Sequence, residues 1–281
     1  MKKILLLTLI LLLAGCGAQS QTNETVVTSI APTTFLAEGL YPNATITQII
    51  PNGQDPHSYT VRPSDVQAMD RATTYIGIGA GLEPFSQDIE TRFSDENKIL
   101  LAELVGKEFE TGHHDEEEHT EEHGHGNIDP HVWVSPRQMV AVLQQLQNVP
   151  QEFSNNVTRL QNRYAETLDT CTSRDLFVTH DAYSYLADDY GLTLHTLQGL
   201  SPHEELQPRD AAEFVRSVQM AGAQTIFHEE QLDRRLTDRL ARQADVEVGV
   251  LNPGLRDSNY IQIMEENLDA LSRGLNCQLS Q

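Results

Sequence analysis

The feature that most constrains this chain is an alternation of short β-rich runs with stretches of helical spacing. Residues 25–31 (TVVTSIA), 44–50 (ATITQII) and 73–78 (TTYIGI) read as strands, with helical stretches around 34–39 and over 63–71 between them. The second of these helices opens on Pro63, with Ser64 and Asp65 in its first turn. After residue 170 the alternation resumes. Strands are expected at 175–179, 192–197, 224–228 and 246–251, and helices at 181–189, 209–221, 232–243 and 258–273. Strands that alternate with helices pair in parallel, because each crossover returns the chain to the same edge. Between the two series lies 151–170, read as one long helix in which Leu160, Tyr164 and Leu168 share a face. The expectation is therefore an α/β protein of two lobes joined by a helix. A cleft should lie at the strand ends, where ligands sit in such sheets.

The two ends of the alternation are of different character. Lys2 and Lys3 precede an apolar run from Ile4 to Leu13, then Ala14, Gly15 and Cys16. A short basic region, about ten apolar residues and small residues make a secretory leader, too short to span a bilayer as a mature helix. Its ending, Leu-Ala-Gly-Cys, resembles the lipobox of bacterial lipoproteins, which implies cleavage before Cys16 and acylation of that thiol. The expected organisation is a leader at 1–15, a tether at 16–24, an N-terminal lobe at 25–150, the linking helix at 151–170 and a C-terminal lobe at 171–281. The protein is expected to be extracytoplasmic, held to a membrane by its lipid, and monomeric. Two cysteines remain, Cys171 and Cys277; in an exported protein they can form one disulfide or stay as two thiols.

Charge and histidine narrow the function. A formal net charge of -22 argues against nucleic acid, whose phosphates need the opposite field, and favours a cation. Residues 111–126 (TGHHDEEEHTEEHGHG) interrupt the N-terminal lobe with His113, His114, His119, His123 and His125 among six acidic residues. This segment is too polar to pack a core and is expected to be a loop that binds metal weakly as an auxiliary. Three other histidines stand where loops could aim them into the cleft: His57 and His131, each within Asp-Pro-His, and His180 in Val-Thr-His-Asp-Ala-Tyr. Three neutral imidazoles suit zinc, whereas all-oxygen sites suit magnesium or calcium. The 74 residues between the two Asp-Pro-His phrases exclude a short-spacing motif, so convergence has to come from the fold.

Three longer phrases carry a resemblance. Pro51-Asn-Gly-Gln-Asp-Pro-His-Ser-Tyr-Thr-Val-Arg-Pro-Ser-Asp65, Asp129-Pro-His-Val-Trp-Val-Ser-Pro136, and Phe177-Val-Thr-His-Asp-Ala-Tyr-Ser-Tyr-Leu with Tyr190-Gly-Leu192 resemble, in order, the signatures of the zinc/manganese solute-binding proteins of ABC importers. Gly81-Leu-Glu-Pro84 and Ile226-Phe-His-Glu229 match weaker positions, and the likeness spans about residues 25–273. It implies two Rossmann-like α/β lobes, a rigid connecting helix and one metal in the interlobe cleft, with His57, His131 and His180 as ligands. Zn2+ is the implied cargo, and a permease with its ATPase the implied partners. A histidine at the third position, with the acidic histidine loop, resembles the zinc-uptake branch. Manganese or another divalent ion is the alternative, and a metal-sequestering or adhesive surface lipoprotein is another.

The chain departs from the family at the fourth ligand. Where many members carry an aspartate, Leu251-Asn-Pro-Gly-Leu255 offers Asn252, whose amide oxygen is a weaker donor. Water, Glu229 or a residue of the histidine loop could complete the site. Glu229 is read foremost as the partner that holds a ligand histidine in its tautomer. Asp55 and Asp129 read as turn-formers, and His228 as structural or surface. Three histidines and an open position also describe a catalytic zinc. However, the chain has no Gly-x-Ser-x-Gly, no His-Glu-x-x-His and no phosphate loop, and His203-Glu204-Glu205 lacks the second histidine, with Gln207 in its place. An enzyme is not expected.

Overall fold

A computed structural model describes residues 24–107, 128–203 and 206–278. The leader, Cys16, most of the tether and the loop histidines His113, His114, His119, His123 and His125 lie outside the described residues. The N-terminal half runs β1 (Thr25–Thr28), α1 (Ala31–Leu40), β2 (Thr45–Gln48), α2 (Pro63–Arg71), β3 (Thr74–Gly77), α3 (Ser86–Arg92), β4 (Lys98–Leu100), α4 (Leu101–Val105) and α5 (Pro136–Gln145). After α6 (Gln151–Asp169) come β5 (Asp175–Val178), α7 (Ser184–Tyr190), β6 (Thr193–Thr196), α8 (Pro208–Ala221), β7 (Thr225–Glu229), α9 (Arg234–Ala244), β8 (Glu247–Leu251) and α10 (Tyr260–Gly274). Among the described residues no helix is long and apolar enough to cross a membrane.

Each half builds a four-stranded parallel sheet, β2-β1-β3-β4 and β6-β5-β7-β8. In both, the chain steps outward once and then returns to the other side of its first strand. The order therefore reverses between β1 and β3, and again between β5 and β7. Crossovers leave these two strand ends in opposite directions, which opens a crevice beyond them. The central strands β1 and β3 are buried almost throughout, as parallel strands covered on both faces must be.

The α/β alternation expected from the sequence is the architecture found. The helix expected over 181–189 starts only at Ser184, because the chain bends at Thr179–Asp181 and stays irregular through Tyr183. Helices α3, α4 and α5 and strand β4 are elements that the sequence reading does not place.

The helix α6 is 19 residues long, about 28 Å at 1.5 Å per residue, and buries Val157, Leu160, Tyr164 and Leu168. Its packing does more than connect. The two halves do not each close a separate core: one continuous apolar cluster runs from Val26 to Leu275 and takes in both sheets. Only the face of the second sheet under α8 and α9 has its own cluster, around Phe177, Phe214, Ile226 and Leu240. Buried polar contacts cross the same seam. The Tyr164 hydroxyl donates to the Met264 carbonyl at 2.6 Å, and the Tyr260 hydroxyl to the Trp133 carbonyl at 2.7 Å. Ser135 and Gln138 both donate to buried Asp189. Hinging the halves apart would expose this cluster to water at about 25 cal/mol per Å2, so large lobe opening is disfavoured.

The sulfurs of Cys171 and Cys277 lie at disulfide distance, 106 residues apart in sequence, and tie the strand-like tail to the end of α6. A bond closing a loop that long stabilises by about 4–5 kcal/mol on the chain-entropy account. The Cys171→Ser/Cys277→Ser variant should therefore lose up to about that much unfolding free energy in urea. Its metal stoichiometry should be unchanged, since Cys171 precedes the start of β5 whereas the crevice lies beyond the ends of the strands.

Candidate metal centre

Each of the three histidines is delivered by the end of an element. His57 sits in a single 3-10 turn, Pro56–Ser58, whose N-cap is Asp55. The carboxylate accepts from the His57 backbone N–H through Oδ1 at 3.0 Å and from Ser58 Oγ through Oδ2 at 3.2 Å. His131 repeats the device. Asp129 Oδ1 accepts from the His131 N–H at 2.9 Å, just before the 3-10 turn Val132–Val134 that leads into α5. The repeated Asp-Pro-His is thus one Asx turn used twice: proline sets φ, and the aspartate satisfies the amide two residues on. At the second copy the same carboxylate oxygen also receives the ring, with Nδ1 at 2.7 Å, and both residues are buried.

His180 comes from the other lobe, two residues beyond β5, and Glu229 is the last residue of β7. These are the two strand ends at which the order of the second sheet reverses. Glu229 Oε2 lies 2.8 Å from His180 Nδ1. The ring's other nitrogen, Nε2, is 3.0 Å from the Leu200 carbonyl. Both ring nitrogens therefore face acceptors.

The fold brings together what the sequence left 49 and 74 residues apart. The donor atoms of His57, His131 and His180 all lie within 4.8 Å of one another. Among the described residues they form the one group of three or more His, Cys, Asp or Glu that could hold a metal ion. His57 Nε2 and His131 Nε2 are 3.2 Å apart. Two nitrogens bound to one tetrahedral zinc at 2.0–2.1 Å would be separated by about 3.3 Å. Nδ1 of His131 and of His180 is engaged by a carboxylate, which leaves Nε2 as the nitrogen available to an ion, although at His180 it faces the Leu200 carbonyl in the metal-free protein.

The electrostatics of the three are not alike. Burial pushes His57 down to about 3, helped by the charges that His131 and His180 would carry. Burial also opposes a charge on His180, but the hydrogen bond and charge of Glu229, with the Leu200 carbonyl, outweigh it and raise that pKa. Asp181, next to His180, is raised chiefly by burial and then by the charge of Asp129.

Asn252 is not positioned to serve as the fourth donor. Its Oδ1 accepts from the backbone of Gly254 at 2.8 Å and of Leu255 at 2.9 Å, and its Nδ2 donates to Glu230. The side chain builds a tight loop in which Gly254 takes a positive φ and packs on Pro32. That loop presents the Pro253 carbonyl to Trp133 Nε1 at 2.5 Å and the Leu255 carbonyl to Gly53 N–H at 2.7 Å. Glu229 stands outside the three-histidine group, as the partner of His180.

Two residues escaped the sequence reading. Leu200 contributes only a carbonyl, which no motif search can see. Glu83, noted only as a family position, is a buried carboxylate that accepts from Ile78 N–H at 2.6 Å and Gly79 N–H at 2.9 Å, closing the end of β3. His228 is buried against Thr237, its Nδ1 3.1 Å from Oγ1, and away from the cluster.

Comparison with known proteins agrees with this geometry. The family described as ZnuA, zinc-uptake complex component A periplasmic, matches residues 26–274. The chain is 30% identical over 308 residues to the zinc-binding lipoprotein AdcA of Streptococcus pneumoniae, covering 97% of this chain and 61% of that protein. It is 28% identical over 263 residues to the high-affinity zinc uptake system protein ZnuA of Yersinia pestis, covering 81% and 82%. The chain thus spans about three fifths of the length of the first of these relatives. In fold it superposes on the periplasmic zinc binding protein TroA of Treponema pallidum with a TM-score of 0.75 at 18% identity, over 90% of this chain and 99% of that one.

The contrast between Glu229 and Asn252 can be tested directly. Glu229→Ala should lower metal affinity by roughly 10–100-fold at unchanged stoichiometry, as loss of a carboxylate that orients a ligand does. Asn252→Ala should instead cost about 1–3 kcal/mol in denaturant unfolding by stranding buried backbone donors, with metal affinity held.

Proposed function

Because the chain belongs to the periplasmic zinc-uptake component A family, and because three imidazoles from two lobes meet in its cleft, we propose that it captures Zn2+ outside the cytoplasm and passes it to an ABC importer. His57, His131 and His180 hold the ion through Nε2, and water takes the fourth corner. The observation that carries the reading is the convergence of the donor atoms of His57 and His131 from one lobe and His180 from the other within 4.8 Å of one another, with the two Nε2 atoms of the first lobe 3.2 Å apart. All-nitrogen donors favour zinc over manganese, which prefers oxygen.

Capture exchanges a proton for a cation. His180 in the free protein faces two acceptors and holds its proton to a higher pH than an ordinary histidine. Zinc must displace that proton from Nε2. His57 is neutral down to about pH 3 and offers no competing proton above that. Release is the reverse exchange, aided by a permease that pries the site open. Cys16, acylated, tethers the protein beside that permease. The acidic histidine loop at 111–126 gathers zinc weakly and raises its local concentration. The role is one of binding and hand-over, without catalysis.

The test is competition titration of the soluble form with zinc and manganese. One tight zinc site, lost in His57→Ala or His180→Ala and retained when residues 112–126 are deleted, is the expected outcome. Weak multiple binding that disappears with the loop would sink the proposal. Affinity should fall as pH drops through the raised pKa of His180, with roughly one proton released per ion. Calorimetry in buffers of different ionisation enthalpy reads that number, and an affinity flat from pH 8 to 5 would contradict it.

A further inference from the structure

His203 was set aside in the sequence as the start of a failed metalloprotease phrase, yet it makes a contact between the lobes. The segment after β6 is anchored to the second lobe by two backbone bonds, Gln198 N–H to the Thr179 carbonyl and Asp181 N–H to the Gly199 carbonyl, each 3.1 Å. The next residue, Leu200, turns its carbonyl onto His180 Nε2. Three residues further on, the His203 ring reaches across to the first lobe and donates from Nε2 to Asp55 Oδ2 at 2.5 Å, over 148 positions of sequence. Local bonds stiffen the span: Gln198 Nε2 donates to the Pro202 carbonyl at 2.9 Å, and the His203 N–H to Ser201 Oγ at 3.3 Å.

Asp55 makes this contact consequential. Its other oxygen, Oδ1, accepts from the backbone of His57 and so sets the turn that aims that ring. One carboxylate thus couples the crossing segment to a candidate ligand of the opposite lobe, while Leu200 at the near end touches the ligand of its own lobe. The His203 side chain is 55% exposed and that of Asp55 17%, which puts the contact at the rim of the site.

We propose that His203 is a positioning residue for metal capture. By donating to Asp55 it straps the segment 199–203 across the cleft, fixes the turn of His57 and slows release of the bound ion. This rests on the zinc-capture reading, but its structural half can be read without metal. A strap of this kind retains cargo in a molecule whose continuous core resists lobe opening, because only a short segment has to move.

The experiment compares the wild-type protein with His203→Ala and His203→Gln. Glutamine keeps an N–H that can reach the carboxylate, and alanine does not. Zinc release into excess chelator, followed by stopped flow, should quicken about tenfold in His203→Ala, the loss expected for one charge-assisted hydrogen bond. Stoichiometry should stay at one, and His203→Gln should recover most of the retention. In the metal-free protein, amide exchange over 55–58 and 198–203 should rise in His203→Ala and return towards wild type in His203→Gln. An unchanged release rate in His203→Ala, no rescue by glutamine, or unchanged exchange at both segments would overturn the proposal. If the wild-type chain holds no zinc, the function reading fails, and the exchange comparison still decides whether the strap exists.

Discussion

Three imidazole rings with centroids 5.0–5.5 Å apart, drawn from loops on two lobes, two of them buried and the third half-buried, can share that space only if their charges are kept low. Protonated, they would repel in a region of low dielectric, and His57 is accordingly pushed far down. Neutral, they place two Nε2 atoms within hydrogen-bond distance of each other. The surrounding structure answers this constraint. A carboxylate sits behind Nδ1 of two of the rings, an Asx turn fixes the backbone of two, and the strand ends at a topological reversal carry the third. A divalent cation at the centre turns the mutual repulsion into common attraction, and on this reading that is how the cluster is used.

The second constraint is the shared core. Lobes of an α/β protein are often pictured as separate bodies on a hinge, but here Trp133, Tyr164 and Tyr260 sit in one cluster that belongs to both sheets, and each bonds across the seam. The Asn252 loop joins the same seam. What looks in sequence like a lost ligand position is a structural clamp, which presents a carbonyl to the indole beside His131. Discrimination and retention then fall to local pieces, the turns and the segment 199–203, rather than to wholesale closure.

How much of this was legible in the sequence follows from the range of each interaction. The alternation of strands and helices was readable because it is local, set by periodicity and by proline at helix starts such as Pro63. The long helix showed itself through Leu160, Tyr164 and Leu168, whose spacing survives any tertiary context. The three histidines could be singled out by their phrases and by resemblance, but their convergence could not be read from spacings of 74 and 49 residues. The partners behind them divide the same way. Asp129 lies two residues from its histidine and was noticed, though only as a turn-former, since nothing local shows that its carboxylate also reaches the ring. Leu200, a carbonyl, left no trace in residue type. Asn252 could be read from sequence as a departure from the family's fourth ligand, but not that its side chain is used up by the amides of Gly254 and Leu255.

The central claim is that three imidazoles bind one ion through Nε2, and the metal's own coordination sphere tests it most directly. The measurement is zinc K-edge X-ray absorption on protein loaded with one equivalent, with residues 112–126 removed so that the loop contributes nothing. The account predicts about three nitrogens at roughly 2.0–2.1 Å with imidazole multiple scattering, and one further light atom completing the tetrahedron. A shell dominated by oxygen, or one with fewer than two imidazoles, would contradict it.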